Sequence, residues 1–82
     1  YVNSMQQDFI VYPNPTTDEM YVHYANEAQL HISIYNGLGQ LVLDKNEYVS
    51  DEKISLSNAQ NGIYYYTIAS PNSFQSGILL KK

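Results

Sequence analysis

Short runs in which apolar and polar residues alternate, separated by turn residues, constrain the fold of this chain most strongly. A period of two is typical of β-strands with one buried face, and no stretch shows the 3.6-residue period of a helix. The regular spacing of the runs predicts an all-β fold, a seven-stranded antiparallel sandwich of the immunoglobulin-like or fibronectin-like type. The predicted strands cover residues 9–12, 20–24, 30–34, 40–44, 53–56, 63–69 and 74–82.

The same alternation predicts which residues form the core. These are Leu30, Ile32, Ile34, Ile54, Leu56, Tyr64, Tyr66, Ile68, Ile78 and Leu80. In the last strand this phase directs Leu79 and Lys81 toward solvent. The polar residues 45–51 are predicted to form a loop. Tyr64 follows the corner between the fifth and sixth strands, so its hydroxyl is expected to bond the backbone a few residues upstream, as in a tyrosine corner. The alternative is an ordinary buried aromatic side chain.

Turn residues mark the connections. Gly39 and Gly62 each close a turn that leads into an apolar strand, and at least one of them is expected to have a positive φ. The segment Tyr12-Pro13-Asn14-Pro15, called the strap below, is stiff, because each proline fixes φ at about −65° and lacks a backbone donor. A residue that precedes a proline is also pushed toward extended geometry. The strap is therefore expected to end the first strand and to cross to the next sheet.

Size and charge exclude several classes of function. The chain has 82 residues, which predicts one domain, and no cysteine, so neither a disulfide nor a thiol nucleophile is available. Its nine tyrosines are expected to supply much of the core. The net charge of −4 argues against binding to nucleic acid or to an anionic membrane surface.

Three groups of residues raise the question of a ligand site. His23 and His31 would face each other, with Glu27 beside them, if the second and third strands formed a hairpin; a crossover between sheets would separate them. Two pairs of adjacent acidic residues could suggest a calcium site, but they lack the alternating carboxylates of a calcium-binding loop. We therefore interpret them as solvated loop residues. They are Asp18, Glu19, Asp51 and Glu52.

The run of three tyrosines at residues 64–66 suggests a sugar-binding platform, but alternation would leave only Tyr65 exposed. No local sequence motif indicates a catalytic nucleophile. We therefore expect no catalytic, cofactor-binding or metal site, no cofactor and no small-molecule ligand.

Four segments resemble, in the same order, the type A C-terminal sorting domain of the type IX secretion system of Bacteroidetes. They are VYPNPTTD, ISIYNGLGQLV, ISLSNAQNGIYYYTI and GILLKK, and the resemblance covers residues 9–82. One departure is Ala59, which stands where such domains usually carry leucine and implies that a smaller side chain fills the core at that corner. The residues assigned to the sorting signal are Tyr12, Pro13, Asn14, Pro15, Tyr35, Asn36, Gly39, Gly62, Tyr64, Ile78, Leu80, Lys81 and Lys82.

The resemblance implies a function that composition does not show. Such a domain is not an enzyme but the export label of a cargo protein fused to its N-terminal side. Its expected partners are the outer-membrane translocon, a shuttle protein and a cell-surface sortase that removes the domain. The expected location is the periplasm in transit and then the cell surface or the medium. An adhesive or carbohydrate-binding module appended to a secreted enzyme is the alternative, and an inert spacer is a third hypothesis.

The resemblance also implies a division of the chain. Residues 1–8 are expected to form a linker close to the cleaved bond, which would lie in or just upstream of residues 1–7. Residues 9–82 are expected to form the sorting domain, and from the abrupt start at Tyr1 we expect a fragment of something longer. Lys81 and Lys82 carry half of the positive charge and are predicted to form an exposed recognition site.

Overall fold

The computed structural model describes residues 9–25, 29–71 and 73–82. The strands are β1 (Phe9–Tyr12), β2 (Glu19–Tyr24), β3 (Leu30–Tyr35), β4 (Leu41–Tyr48), β5 (Ile54–Ser55), β6 (Gly62–Ala69) and β7 (Phe74–Lys81). They form two antiparallel sheets with the orders β1-β2-β5 and β4-β3-β6-β7. The predicted seven-stranded all-β sandwich is confirmed. Within the described ranges, no helix has the length and apolar character needed to cross a membrane.

One apolar core fills the space between the two sheets. The predicted core residues of the third, fifth and sixth strands are all buried, because each strand keeps the phase that its alternation indicates. Burying one such aliphatic side chain contributes ~1.5–3 kcal/mol relative to leaving it exposed. The core residues are Phe9, Met20, Val22, Tyr24, Leu30, Ile32, Ile34, Tyr48, Ile54, Leu56, Tyr64, Tyr66, Ile68 and Leu79.

The predicted phase of the last strand is wrong by one residue. Leu79 and Lys81 are buried, with Lys81 only 6% exposed, whereas Ile78 is 58% exposed and Leu80 is half-buried. The run Ile78-Leu79-Leu80 is apolar on both faces, so it does not define a phase. Pairing with β6 defines it instead: Tyr66 lies opposite Gly77, and its ring occupies the inner space that a side chain at position 77 would need. A shift of one residue exchanges every inward and outward side chain.

The loop predicted over residues 45–51 is also wrong in its first half, because β4 continues to Tyr48. Two register shifts interrupt its pairing with β3, and Glu47 has a φ of 57°, so the apolar alternation is lost there. Tyr48 is nevertheless fully buried. Its hydroxyl accepts a hydrogen bond from Val22 N at 2.9 Å and donates one to the carbonyl of Glu52. These bonds satisfy a polar group that would otherwise be costly to bury, and burial raises the pKa of this tyrosine.

The predicted turn geometry is confirmed. Gly39 has a φ of 84° and Gly62 a φ of 147°, values that side chains disfavour. Tyr64 forms the predicted tyrosine corner, since its hydroxyl donates to the carbonyl of Gln60, four residues upstream, at 2.5 Å. This bond ties the entrance of β6 to the preceding corner.

Candidate functional site at the strap and the last strand

The strap lies along the outer edge of β7, and Asn14 attaches it there. The Nδ2 of Asn14 donates to the carbonyl of Ile78 at 2.9 Å, and its Oδ1 accepts from the backbone N–H of Leu80 at 3.1 Å. One side-chain amide thus occupies the place of a peptide group in a neighbouring strand. Edge groups that would otherwise be open to another chain are satisfied internally.

Thr16 continues this attachment with its backbone. Its N–H donates to the carbonyl of Leu80 at 2.8 Å, and its carbonyl accepts from the N–H of Lys82 at 2.8 Å. These bonds form a short parallel bridge between Thr16 and Lys81. Pro13 and Pro15 have no N–H to donate, so the backbone pairing starts only after them.

The strap touches the second sheet, since Thr16 pairs with β7 there, but the predicted crossing between sheets is wrong, because the strand that follows the strap is not in the second sheet. The chain then returns, because β2 pairs with β1 in the first sheet. The Tyr12–Pro13 and Asn14–Pro15 peptide bonds, one at each proline of the strap, are cis.

Tyr12 fixes the start of the strap on the outer face of the first sheet. Its ring stacks on Tyr21 with centroids 5.3 Å apart, and its hydroxyl donates to Asp51 Oδ1 at 2.5 Å. The other carboxylate oxygen of Asp51 lies 3.0 Å from His23 Nδ1. The bond to the carboxylate raises the pKa of Tyr12 to about 12, and the same bond, followed by that from His23, lowers the pKa of Asp51.

Asn36 organises the turn between β3 and β4. Its Oδ1 accepts from the N–H groups of Leu38 at 2.9 Å and Gln40 at 3.0 Å, while its Nδ2 donates to Gln40 Oε1 at 2.9 Å. Gly39 N donates to the backbone carbonyl of Asn36 at 3.0 Å, which its positive φ permits. Tyr35, directly before this turn, is half-buried and lies on the outer face of its sheet.

The turn and the corner before β6 line one open groove of about 630 Å³. Its lining includes Asn36, Leu38, Asn61 and Gly62. Lys81 reaches the same corner from the interior, where its Nζ donates to Asn61 Oδ1 at 3.3 Å. The residues assigned to the sorting signal thus gather at one end of the sandwich. The prediction that Lys81 is exposed is wrong, and Lys82 is the exposed member of the pair.

The histidines do not come together. His23 lies in β2 opposite Ile10, whereas His31 lies in β3 of the other sheet opposite Ala69, so the hairpin alternative is wrong; Glu27 lies outside the described residues. Each has an aspartate partner instead, His31 Nε2 being 2.5 Å from Asp44 Oδ1. Hydrogen bonds from Ser33 and then His31 lower the pKa of Asp44. In the part of the chain that the structure describes, no three His, Asp or Glu side chains are placed to hold a metal ion.

The four acids considered for calcium are all exposed, and three of them also bond other side chains. Glu19 accepts from the Tyr21 hydroxyl at 2.9 Å, and its other oxygen lies 3.6 Å from Lys53 Nζ. Glu52 lies 3.5 Å from Lys45 Nζ. Together with the bonds of Asp51, these contacts give three of the acids partners within the protein, so their carboxylates connect strands and loops.

Sequence reasoning missed two residues that position the last strand. Gln75 faces inward and bonds the backbone of β1, its Nε2 donating to Phe9 O at 3.2 Å and its Oε1 accepting from Phe9 N at 3.4 Å. Gly77 leaves room for the Tyr66 ring, because an added Cβ would lie 2.6 Å from Tyr66 Cζ. A glycine directly opposite a large inward-facing residue indicates that the large side chain lies close to the glycine backbone. This signal can be used only when the strand register is known.

The family described as secretion system C-terminal sorting domain matches residues 10–82. The match spans both sheets and every position assigned to the sorting signal. No curated protein matches the chain. Because the family match covers nearly the whole chain, this chain belongs to the secretion system C-terminal sorting domain family.

Proposed function

We propose that this domain is a non-catalytic export label for a cargo protein attached to its N-terminal side. The label directs the cargo through the outer-membrane translocon of a type IX secretion system in a Bacteroidetes cell, with the help of a shuttle protein. A cell-surface sortase then removes the label, and the cargo stays on the surface or enters the medium. The observation that carries this proposal is the family match over residues 10–82.

The geometry supports a label that is recognised as a folded surface. Asn14 and Thr16 hold the strap on β7, so the first and last described segments of the domain form one continuous surface. This surface exists only when the strand order is native. A protein that binds it would distinguish a folded label from an unfolded one, whatever cargo is attached.

The expected cleavage site lies in residues 1–7 or just upstream, which are outside the described residues. The strap supports this position indirectly. Tyr12 and Pro13 leave β1 at the end opposite Phe9, so the recognised surface and Phe9, where the described residues begin, lie at opposite ends of that strand. We infer that recognition at the strap leaves the preceding segment accessible to the sortase.

A reporter fusion tests the export function. Residues 1–82 are fused behind a periplasmic reporter in a Bacteroidetes host, and reporter activity is measured in the medium, on intact cells and in the periplasm. We expect the fusion to reach the surface or the medium, whereas the reporter alone stays inside. Retention of a fusion whose sorting domain is folded, shown by resistance to limited proteolysis, would contradict the proposal.

Lys82 tests the recognised surface with little risk to the fold, because its side chain is exposed beside the strap. Lys82→Ala should reduce export of the fusion while its unfolding midpoint is unchanged. Lys53→Ala is the matched control, since Lys53 is exposed and pairs with Glu19 on the first sheet. Export of both variants at the wild-type level would indicate that the recognised surface does not include Lys82 and lies at the strap prolines or at the turn at Asn36.

A further inference from the structure

The outer face of the four-stranded sheet carries a band of apolar side chains that crosses all four strands. Leu41 lies opposite Tyr35, Tyr35 opposite Tyr65, and Tyr65 opposite Ile78. A second row adds one more cross-strand pair on the same face, because residues directly opposite each other share a face. We call these six residues the apolar band: Leu41, Tyr35, Tyr65, Ile78, Ile63 and Leu80.

The apolar band is large for a surface of so small a domain. Leu41 is 55% exposed, Ile63 53%, Tyr65 44% and Ile78 58%. With ~200 Å² for a whole side chain of this size, these residues present roughly 400 Å² of apolar surface to solvent. Contiguous patches of this size mark interaction surfaces more often than scattered apolar residues do.

The edges of the two sheets are poorly suited to bind another strand, so association is expected through a face. Asn14 and Thr16 cover the end of β7, and the Gln75 amide covers the backbone of Phe9 in β1. The edge strand β4 has two register shifts and a positive φ at Glu47, and β5 has only two residues. Bulges, short strands and covered edges are the devices that prevent strand addition.

The chemistry of the apolar band fits a second copy of the same chain. Along its longer row the order is aliphatic, aromatic, aromatic, aliphatic, so the row is unchanged when its direction is reversed. A two-fold axis therefore places aliphatic side chains of one copy on aliphatic side chains of the other, and tyrosines on tyrosines, which gives an isologous interface. None of the six residues is charged, so no like charges meet within the contact.

We propose that the apolar band is the interface of a weak, two-fold symmetric homodimer of this domain. Counting the half-buried Tyr35 and Leu80, a face-to-face pair would bury on the order of 1,000 Å² in total, the lower limit for a specific interface. Interfaces at this lower limit are typically weak, so we expect a dissociation constant on the order of 10–100 µM. The dimer does not rest on the proposed export function.

Sedimentation equilibrium of residues 1–82 between about 1 µM and about 1 mM tests the dimer. We expect a monomer–dimer equilibrium in the stated range that is not weakened by added salt, because the contact is apolar. Ile78→Lys and Ile63→Lys should each weaken dimerisation at least tenfold, since each places a lysine in the apolar contact between the two copies. Ser76→Lys is the matched control, on the same strand and the same outer face but in a polar row, and should change the dissociation constant by less than threefold.

Thermal unfolding of each variant, recorded by circular dichroism, shows whether the fold is intact. A monomeric wild-type chain at about 1 mM would overturn the proposal, and so would a dimer that folded Ile78→Lys and Ile63→Lys variants do not weaken. The proposal would also be overturned if Ser76→Lys weakened dimerisation as much as Ile78→Lys and Ile63→Lys do, because the interface would then extend well beyond the apolar band. None of these outcomes affects the reporter assay, so failure of the dimer and failure of the export function are distinguishable.

Discussion

Lys81 provides a sharp test of the structure, because the phase expected from the sequence exposes it and the structure buries it. Its side chain enters the interior beside Asn61, and only 6% of the residue is exposed. Long lysine side chains can bury the aliphatic stem while the ammonium group reaches a polar partner. The perturbation is Lys81→Ala, with Lys81→Met and Lys82→Ala as matched controls.

The expected loss of stability follows from the atoms removed. Lys81→Ala deletes three buried methylene groups, worth about 2 kcal/mol at ~0.8 kcal/mol each. It also deletes the 3.3 Å hydrogen bond to Asn61, a net loss of about 0.5–1 kcal/mol. The total of about 2–3 kcal/mol is a large part of the ~5 kcal/mol expected for so small a domain. Lys81→Met keeps an apolar stem and should lose less than about 1.5 kcal/mol.

Urea unfolding of residues 1–82, followed by tyrosine fluorescence, measures these free energies. Lys82→Ala should stay within about 0.5 kcal/mol of wild type, because its side chain is exposed. The reasoning is refuted if Lys81→Ala and Lys82→Ala unfold at the same urea concentration. In that case β7 would have the opposite phase, with Ile78 and Leu80 in the core.

Three further predictions concern the strap, β7 and the loop that holds Tyr12. Asn14→Ala removes both side-chain bonds to β7 and should lower the free energy of unfolding by about 1–2 kcal/mol, whereas an unchanged urea midpoint would show that the strap is not anchored there. Gly77→Ala should lower the melting temperature by about 5–20 °C, because the new Cβ would overlap the Tyr66 ring; an unchanged melting temperature would exclude this packing. The lowered pKa of Asp51 means that its stabilising effect is present above its ordinary pKa of about 3.9 and is lost as the pH falls through the lower folded-state value. Asp51→Asn should therefore unfold at lower urea than wild type at neutral pH, and this difference should narrow in acid; a constant difference would contradict the assignment.

Much of the fold is predictable because most strands carry a clear phase. In β3, the alternate residues Leu30, Ile32 and Ile34 are apolar, and the residues between them are polar, so pairing adds nothing to that assignment. β7 differs, since three consecutive apolar residues follow Gly77. Its phase depends on contacts with β6, which are distant in sequence. The burial of Tyr48 is not predictable for a related reason. It depends on bulged pairing with β3 and on hydrogen bonds between its hydroxyl and the backbone of Val22 and Glu52.

The candidate site is predictable in membership but not in arrangement. The resemblance to sorting domains identifies the strap, the turn at Asn36 and the last strand as important segments. It does not show that Asn14 bonds the backbone of β7, because that contact joins residues 64 and 66 positions apart. The exposure of Lys82 but not Lys81 likewise depends on the phase of β7.

The most direct test of the central claim compares export of the same fusion in two strains. The reporter fused to residues 1–82 is expressed in a Bacteroidetes host with an intact type IX translocon and in an otherwise identical host that lacks it. The measured quantity is the ratio of reporter outside the outer membrane to reporter in the periplasm. We expect this ratio to be much higher with the translocon, because the fusion then has a route across the outer membrane. Equal ratios in the two strains would contradict the claim that this domain is a sorting signal.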